Sequence, residues 1–181
     1  MRFNFPIIII DEDFRSENAS GLGIRALAEA IGAEGMEVLG VTSYGDLSAF
    51  AQQQSRASAF ILSIDDEEFS GDEAQTTIEE LRAFVVGIRR RNEDIPIFLY
   101  GETRTSYHIP NDVLRELHGF IHMFEDTPEF IARYVVREAR AYLGSVPPPF
   151  FRALTHYAAD GSYSWHCPGH SGGVEIGRAH V

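Results

Sequence analysis

The sequence predicts an α/β fold, a doubly wound five-stranded parallel sheet of the flavodoxin-like or receiver-like order 2-1-3-4-5. Three observations point there. Residues 5–143 alternate between short, β-branched apolar runs and segments of helical period. The runs are hydrophobic throughout, as in strands buried on both faces, and strand–helix alternation implies right-handed crossovers within one parallel sheet. Acids follow the first and third runs directly, at strand ends that flank the ligand crevice of this topology.

Pro6 to Asp11 contains Ile7-Ile8-Ile9-Ile10 and reads as the first strand. Asn18 to Ala33 is a helix, with Leu22, Ile24, Leu27, Ala28 and Ile31 at near-helical spacing and with Gly32 and Gly35 able to end it. Met36 to Thr42 is the second strand, Ser43 to Ser55 a modest helix, and Ala59 to Ile64 the third strand, ending at Asp65-Asp66. Asp72 to Arg91 is a long helix striped by Ile78, Leu81, Val85 and Ile88. Ile95 to Tyr100 is the fourth strand, where Pro96 suits only the first positions. Arg104 to Leu117 is a poor helix interrupted by Pro110, and Gly119 to Phe124 is the fifth strand. Thr127-Pro128-Glu129 opens the last helix: a hydroxyl N-cap, a proline at the first helical position, and an acid facing the macrodipole. It runs to about Leu143 and turns Phe130, Ile131, Tyr134, Val135 and Tyr142 inward. Gly144 to Pro149 breaks the alternation, and Pro147-Pro148-Pro149 is a stiff spacer. A short amphipathic helix over roughly Phe150 to Ala159 and an extended segment follow.

Composition excludes several functions. A chain of 181 residues holds one ordinary domain and a short extension. No apolar run approaches the roughly 20 residues of a membrane span, and Phe3 to Ile10 lacks the features of a signal peptide. The single cysteine, Cys167, precludes an internal disulfide framework and fits a reducing cytoplasm. A net charge of −12 argues against a nucleic-acid partner. Arg89-Arg90-Arg91 is the only basic run and reads as a solvated helix end. All 15 basic residues are arginine. Without a lysine the chain can form no Schiff base and has no Walker-type lysine or lysine general base.

Two constellations could carry chemistry. Asp11 and Asp13 after the first strand, with Asp65 after the third, could hold Mg²⁺. Their placement resembles the receiver domain of bacterial response regulators, which has an acidic pair and a phospho-acceptor aspartate at these places. That resemblance implies a Ser or Thr ending strand four and a Lys after strand five. Here Leu99-Tyr100-Gly101-Glu102 and Phe124-Glu125-Asp126 stand instead, so the acids read as vestigial: solvated or capping groups in a receiver-shaped scaffold. The second constellation is Tyr163-Ser164-Trp165-His166-Cys167-Pro168-Gly169-His170-Ser171-Gly172-Gly173-Val174. Pro168 and Gly169 forbid the helix that would put His166 and His170 on one face, and there is no second cysteine, so zinc is disfavoured. Adjacent His166 and Cys167 point to opposite faces of an extended chain, which disfavours a nucleophile pair. Gly169 to Gly173 could bring backbone amides to a phosphate, or could be a turn by which the chain enters a further domain.

An α/β domain, then Pro147-Pro148-Pro149-Phe150-Phe151-Arg152-Ala153-Leu154, then the Tyr163–Val174 segment, resembles the N-terminal part of the bacterial ornithine/lysine/arginine decarboxylases. Glu125 to Ile131 also looks like that family's approach to the last helix of the domain. The resemblance covers about residues 5–174 and implies a division of labour. The enzymes depend on pyridoxal phosphate, adopt the aspartate-aminotransferase fold and decarboxylate a basic amino acid to an amine and CO2. The N-terminal "wing" does no chemistry and mediates self-association, as dimers and, in acid-inducible members tied to acid resistance, as a decamer. On this reading residues 1–143 are the wing and 144–174 are the linker and the start of a cofactor domain. Trp165, His166, Pro168, Gly169, His170, Gly172 and Gly173 are the family motif at that start. Catalytic and cofactor-binding residues are expected beyond residue 181. The tail Glu175-Ile176-Gly177-Arg178-Ala179-His180-Val181 equals the translation of a common short-read sequencing adapter, so it is expected to be non-native, on a chain cut short. The competing readings are a stand-alone pseudo-receiver signalling domain, which has no use for the Trp165–Gly173 segment, and a flavodoxin-type cofactor binder. Asp11-Glu12-Asp13-Phe14 argues against a flavin phosphate.

Overall fold

Four consecutive isoleucines, Ile7–Ile10, form strand β1, and all four are buried. In a computed structural model, which describes residues 5–43, 56–64, 74–102, 108–123, 125–145, 155–157, 162–165 and 174–178, β1 lies between β2 (Val38–Val41) and β3 (Ala59–Ile64). Beyond β3 come β4 (Ile97–Gly101) and β5 (Gly119–His122), giving the parallel order β2-β1-β3-β4-β5. Ile8 pairs with Leu39 on one side and Phe60 on the other. The sequence expectation for this sheet holds; no strand bound moves by more than two residues.

Helix α1 (Ala19–Ala33) and helix α4 (Pro128–Ser145) cover one face of the sheet. Ile24, Leu27 and Ile31 of α1 and Ile131, Val135 and Ala139 of α4 share one core with Ile7, Ile9, Ile61, Phe98 and Ile121. On the other face Phe60 meets Phe84 of α2 (Ala74–Arg91) edge-on, with ring centroids 5.9 Å apart. Leu81, Val85 and Ile88 form the buried stripe of α2, as their spacing requires, and Ile78 is half-buried.

One inward assignment fails, at Phe130, and Leu22 of the near-helical spacing stays outside the core. Leu22 is 58% exposed and Phe130 is 59% exposed. The buried stripe of α1 runs through Gly21, Ile24, Leu27 and Ile31, and at about 100° per residue Leu22 lies roughly 200° away from Ile24. Phe130 sits one residue behind the Ile131–Val135 line of α4, outside the strip that the sheet covers. Of the poor helix expected over 104–117, residues 104–107 lie outside the described residues, and within 108–117 helix α3 covers Asn111–Leu114, starting directly after Pro110. The Ser43–Ser55 helix falls on residues 44–55, outside the described residues.

Residues 143–181 form a second compact unit. Its described parts are β6 (Thr155–Tyr157), β7 (Ser162–Trp165) and β8 (Val174–Arg178), an antiparallel sheet of order β6-β7-β8. The helix expected over Phe150 to Ala159 is therefore corrected: residues 155–157 are a strand. Thr155 and Tyr157 favour extended backbone, and a partner is at hand, since Thr155 pairs with Trp165 and Tyr157 with Tyr163.

Candidate functional site

The carboxyl edge of β1 is where the expected acids can be placed. Asp11 leaves the strand in extended conformation, and its backbone N–H donates to the Val41 carbonyl at 3.0 Å. It then caps a 3-10 turn, Glu12–Arg15: one carboxylate oxygen accepts the Asp13 N–H at 2.8 Å, and the Asp11 carbonyl accepts from Phe14 N–H at 3.1 Å. Asp13 accepts from the Asn18 amide at 2.8 Å, and the Asn18 side-chain oxygen accepts from Gly21 N–H at 2.8 Å, which caps α1. Arg25, one turn further on, donates to the Phe14 carbonyl at 3.0 Å and the Ser16 carbonyl at 2.5 Å. Asp11, Asp13 and Asn18 thus form one hydrogen-bonded relay that ends β1 and starts α1, and Arg25 ties the intervening turn to the helix.

Two glycines make room for this turn. A methyl group on Gly21 would overlap the Ser16 and Asp13 carbonyl oxygens, and one on Gly40 of β2 would overlap the Phe14 ring. Phe14 therefore lies directly on the β2 backbone, at the edge where this topology places its ligand crevice.

Tyr100 and Gly101 stand at the end of β4. Tyr100 is buried, and burial first, then the nearby Asp11 carboxylate, pushes its phenol above the ordinary value of 10.0. A buried phenol replaces the small hydroxyl expected of a phosphotransfer site, and with Asp11 it presents no cation to an anionic ligand. Asp65 lies outside the described residues. Among the described residues no group of three or more His, Cys, Asp or Glu side chains could hold a metal ion, and no helix is long and apolar enough to cross a membrane.

At the opposite end of the sheet is a cluster that no sequence spacing signals. His118 Nε2 is 3.1 Å from Glu138 Oε2, and Arg137 donates to Glu138 Oε1 from Nε at 2.8 Å. The His118 and Tyr134 rings both meet Phe98 edge-on, and the Arg137 guanidinium lies 5.2 Å from the Tyr134 ring centre. Arg137 first, then His118, holds the Glu138 carboxyl below its ordinary value of 4.5. Arg89, expected to be a solvated helix end, is instead a clamp: Nη1 donates to the Ile95 carbonyl at 2.7 Å, and Nε donates to the Glu116 carbonyl at 3.0 Å. Arg90 and Arg91 are exposed, as expected of a helix end.

The second constellation is placed only in part. Trp165 closes β7, paired with Thr155 and Val174, and His156 pairs with Ser164. His166, Cys167, Pro168, Gly169, His170, Gly172 and Gly173 lie outside the described residues.

Comparison with known proteins bears on both units. Residues 19–142 match the family model described as Orn/Lys/Arg decarboxylase, N-terminal domain. The chain is 32% identical over 180 residues to the lysine decarboxylase LdcA of Pseudomonas aeruginosa, covering 98% of this chain and 23% of that protein. It is 28% identical over 170 residues to the biodegradative arginine decarboxylase of Escherichia coli, covering 93% and 22%. The solved structure of P. aeruginosa lysine decarboxylase A superposes with a TM-score of 0.67 at 30% identity, covering 94% of this chain and 23% of that one. A response regulator receiver domain from Clostridium thermocellum superposes with a TM-score of 0.55 at 11% identity, a likeness of fold alone. The chain spans less than a quarter of the length of the curated decarboxylases it matches.

Proposed function

We propose, from the premise that this chain belongs to the family of the Orn/Lys/Arg decarboxylase N-terminal domain, that it is the non-catalytic domain and linker of a decarboxylase acting on arginine, lysine or ornithine. The observation that carries this reading is the extent of the match. It runs through the α/β domain and on through the second unit, over 98% of the chain. A stand-alone pseudo-receiver would account for the first unit only.

Pyridoxal phosphate, the cofactor implied by the family, does not fit the residues of this chain. The chain has no lysine to bind the cofactor aldehyde, and the sheet edge turns Asp11 and Asp13 toward any phosphate, with the Asp11 carboxylate capping the turn and the Asp13 carboxylate holding the Asn18 amide. The cofactor and the reacting groups belong to the rest of the parent enzyme, the portion of its relatives that this chain does not span. The Trp165–Gly173 segment is read as the passage into that portion.

The role left to this domain is self-association, in a cytoplasmic enzyme. With a net charge of −12, copies repel one another at neutral pH. Protonation of carboxylates and histidines at acid pH relieves that repulsion. Sedimentation velocity of the full-length enzyme is expected to show a larger particle at pH about 5 than at about 8; an unchanged size would remove this part of the reading. The assignment itself is tested by genomic sequence across the locus. An open frame continuing from Val174 into a lysine-bearing domain is expected, and a genuine stop codon after Val181 would overturn it.

A further inference from the structure

We draw no further inference here: the strongest candidate, the outward face of α1 where Leu22 stands exposed beside Ala19, Gly23 and Ala26, is an unpartnered stripe of small and apolar residues, and nothing in the structure shows what covers it.

Discussion

Gly21 and Gly23 stand two residues apart on the same helix and make opposite demands. Gly21→Ala forces a methyl group against two backbone carbonyls, so it is expected to cost about 1–3 kcal/mol in chemical denaturation, as overpacking does. Gly23 has nothing within 4 Å of the place its Cβ would take, so Gly23→Ala is expected to gain about 0.5–1 kcal/mol through helix propensity. Equal effects at the two sites would contradict the packing of the acidic turn on α1. Asp11→Ala removes the acceptor for Asp13 N–H and is expected to cost about 1 kcal/mol, the usual worth of a cap. The acids were legible as strand-end residues. Capping was one of two readings open for them, and only the backbone path of residues 11–21, which fixed sequence spacing leaves open, decides that Asp11 is the cap. Tyr100 supplies a pH test. Its folded pKa lies above the ordinary 10.0, so its contribution is complete below pH 10 and is lost as pH rises through the folded value. In Tyr100→Phe the alkaline limb of stability against pH should flatten. An alkaline limb identical to that of the wild type would show that burial of this phenol has no consequence.

Whole elements were legible where a local signal was strong. Helix α1 ends as its glycines suggest: Gly35 has φ +86°, its N–H bonds the Gly32 carbonyl at 3.0 Å, and Met36 N–H reaches the Ile31 carbonyl at 3.4 Å, a Schellman closure. Helix α4 starts as Thr127-Pro128 suggests, with the Thr127 hydroxyl accepting from Phe130 N–H at 3.3 Å. Thr127→Ala is expected to cost about 1 kcal/mol, read from the denaturation midpoint; no change would mean the cap is idle. Helix-face assignment failed at Phe130, which flanks the true stripe where one step of rotation decides burial, while Leu22 stands on the far side of α1. The Phe150–Ala159 helix failed because β6 is defined by its pairing with β7, a contact that no window of local sequence contains. The tie between the start of β5 and α4 was equally invisible, since His118 and Glu138 are 20 positions apart. Glu138 has a lowered folded pKa, so its stabilising effect is present above its ordinary 4.5 and is lost as pH falls through the folded value. Glu138→Gln should reduce the acid sensitivity of unfolding in that window, and only modestly, because the partners are partly exposed. An acid limb unchanged by the substitution would mean the tie contributes nothing.

At the scale of the whole molecule, the sheet order was readable because buried parallel strands announce themselves as apolar runs, and because handedness rules leave few ways to connect them. The family was readable from the proline-rich segment and the Trp165–Gly173 motif, and residues 19–142 match its model. The candidate site was not readable in the same way, because a receiver-like edge has the same shape whether or not it carries chemistry, and only the side chains at that edge distinguish the two. Here Asp11 is committed to capping and Asp13 to the Asn18 amide, a phenol stands where a small hydroxyl would, and the chain lacks lysine. We propose that this chain is a structural part of a basic amino-acid decarboxylase. The most direct measurement is CO2 release from arginine, lysine and ornithine, with pyridoxal phosphate supplied, by the 181-residue chain and by the product of the complete gene. No release above background is expected from the chain alone, and robust release from one of the three substrates is expected from the complete product. Release by the chain alone, or a folded complete product inert toward all three, would contradict it.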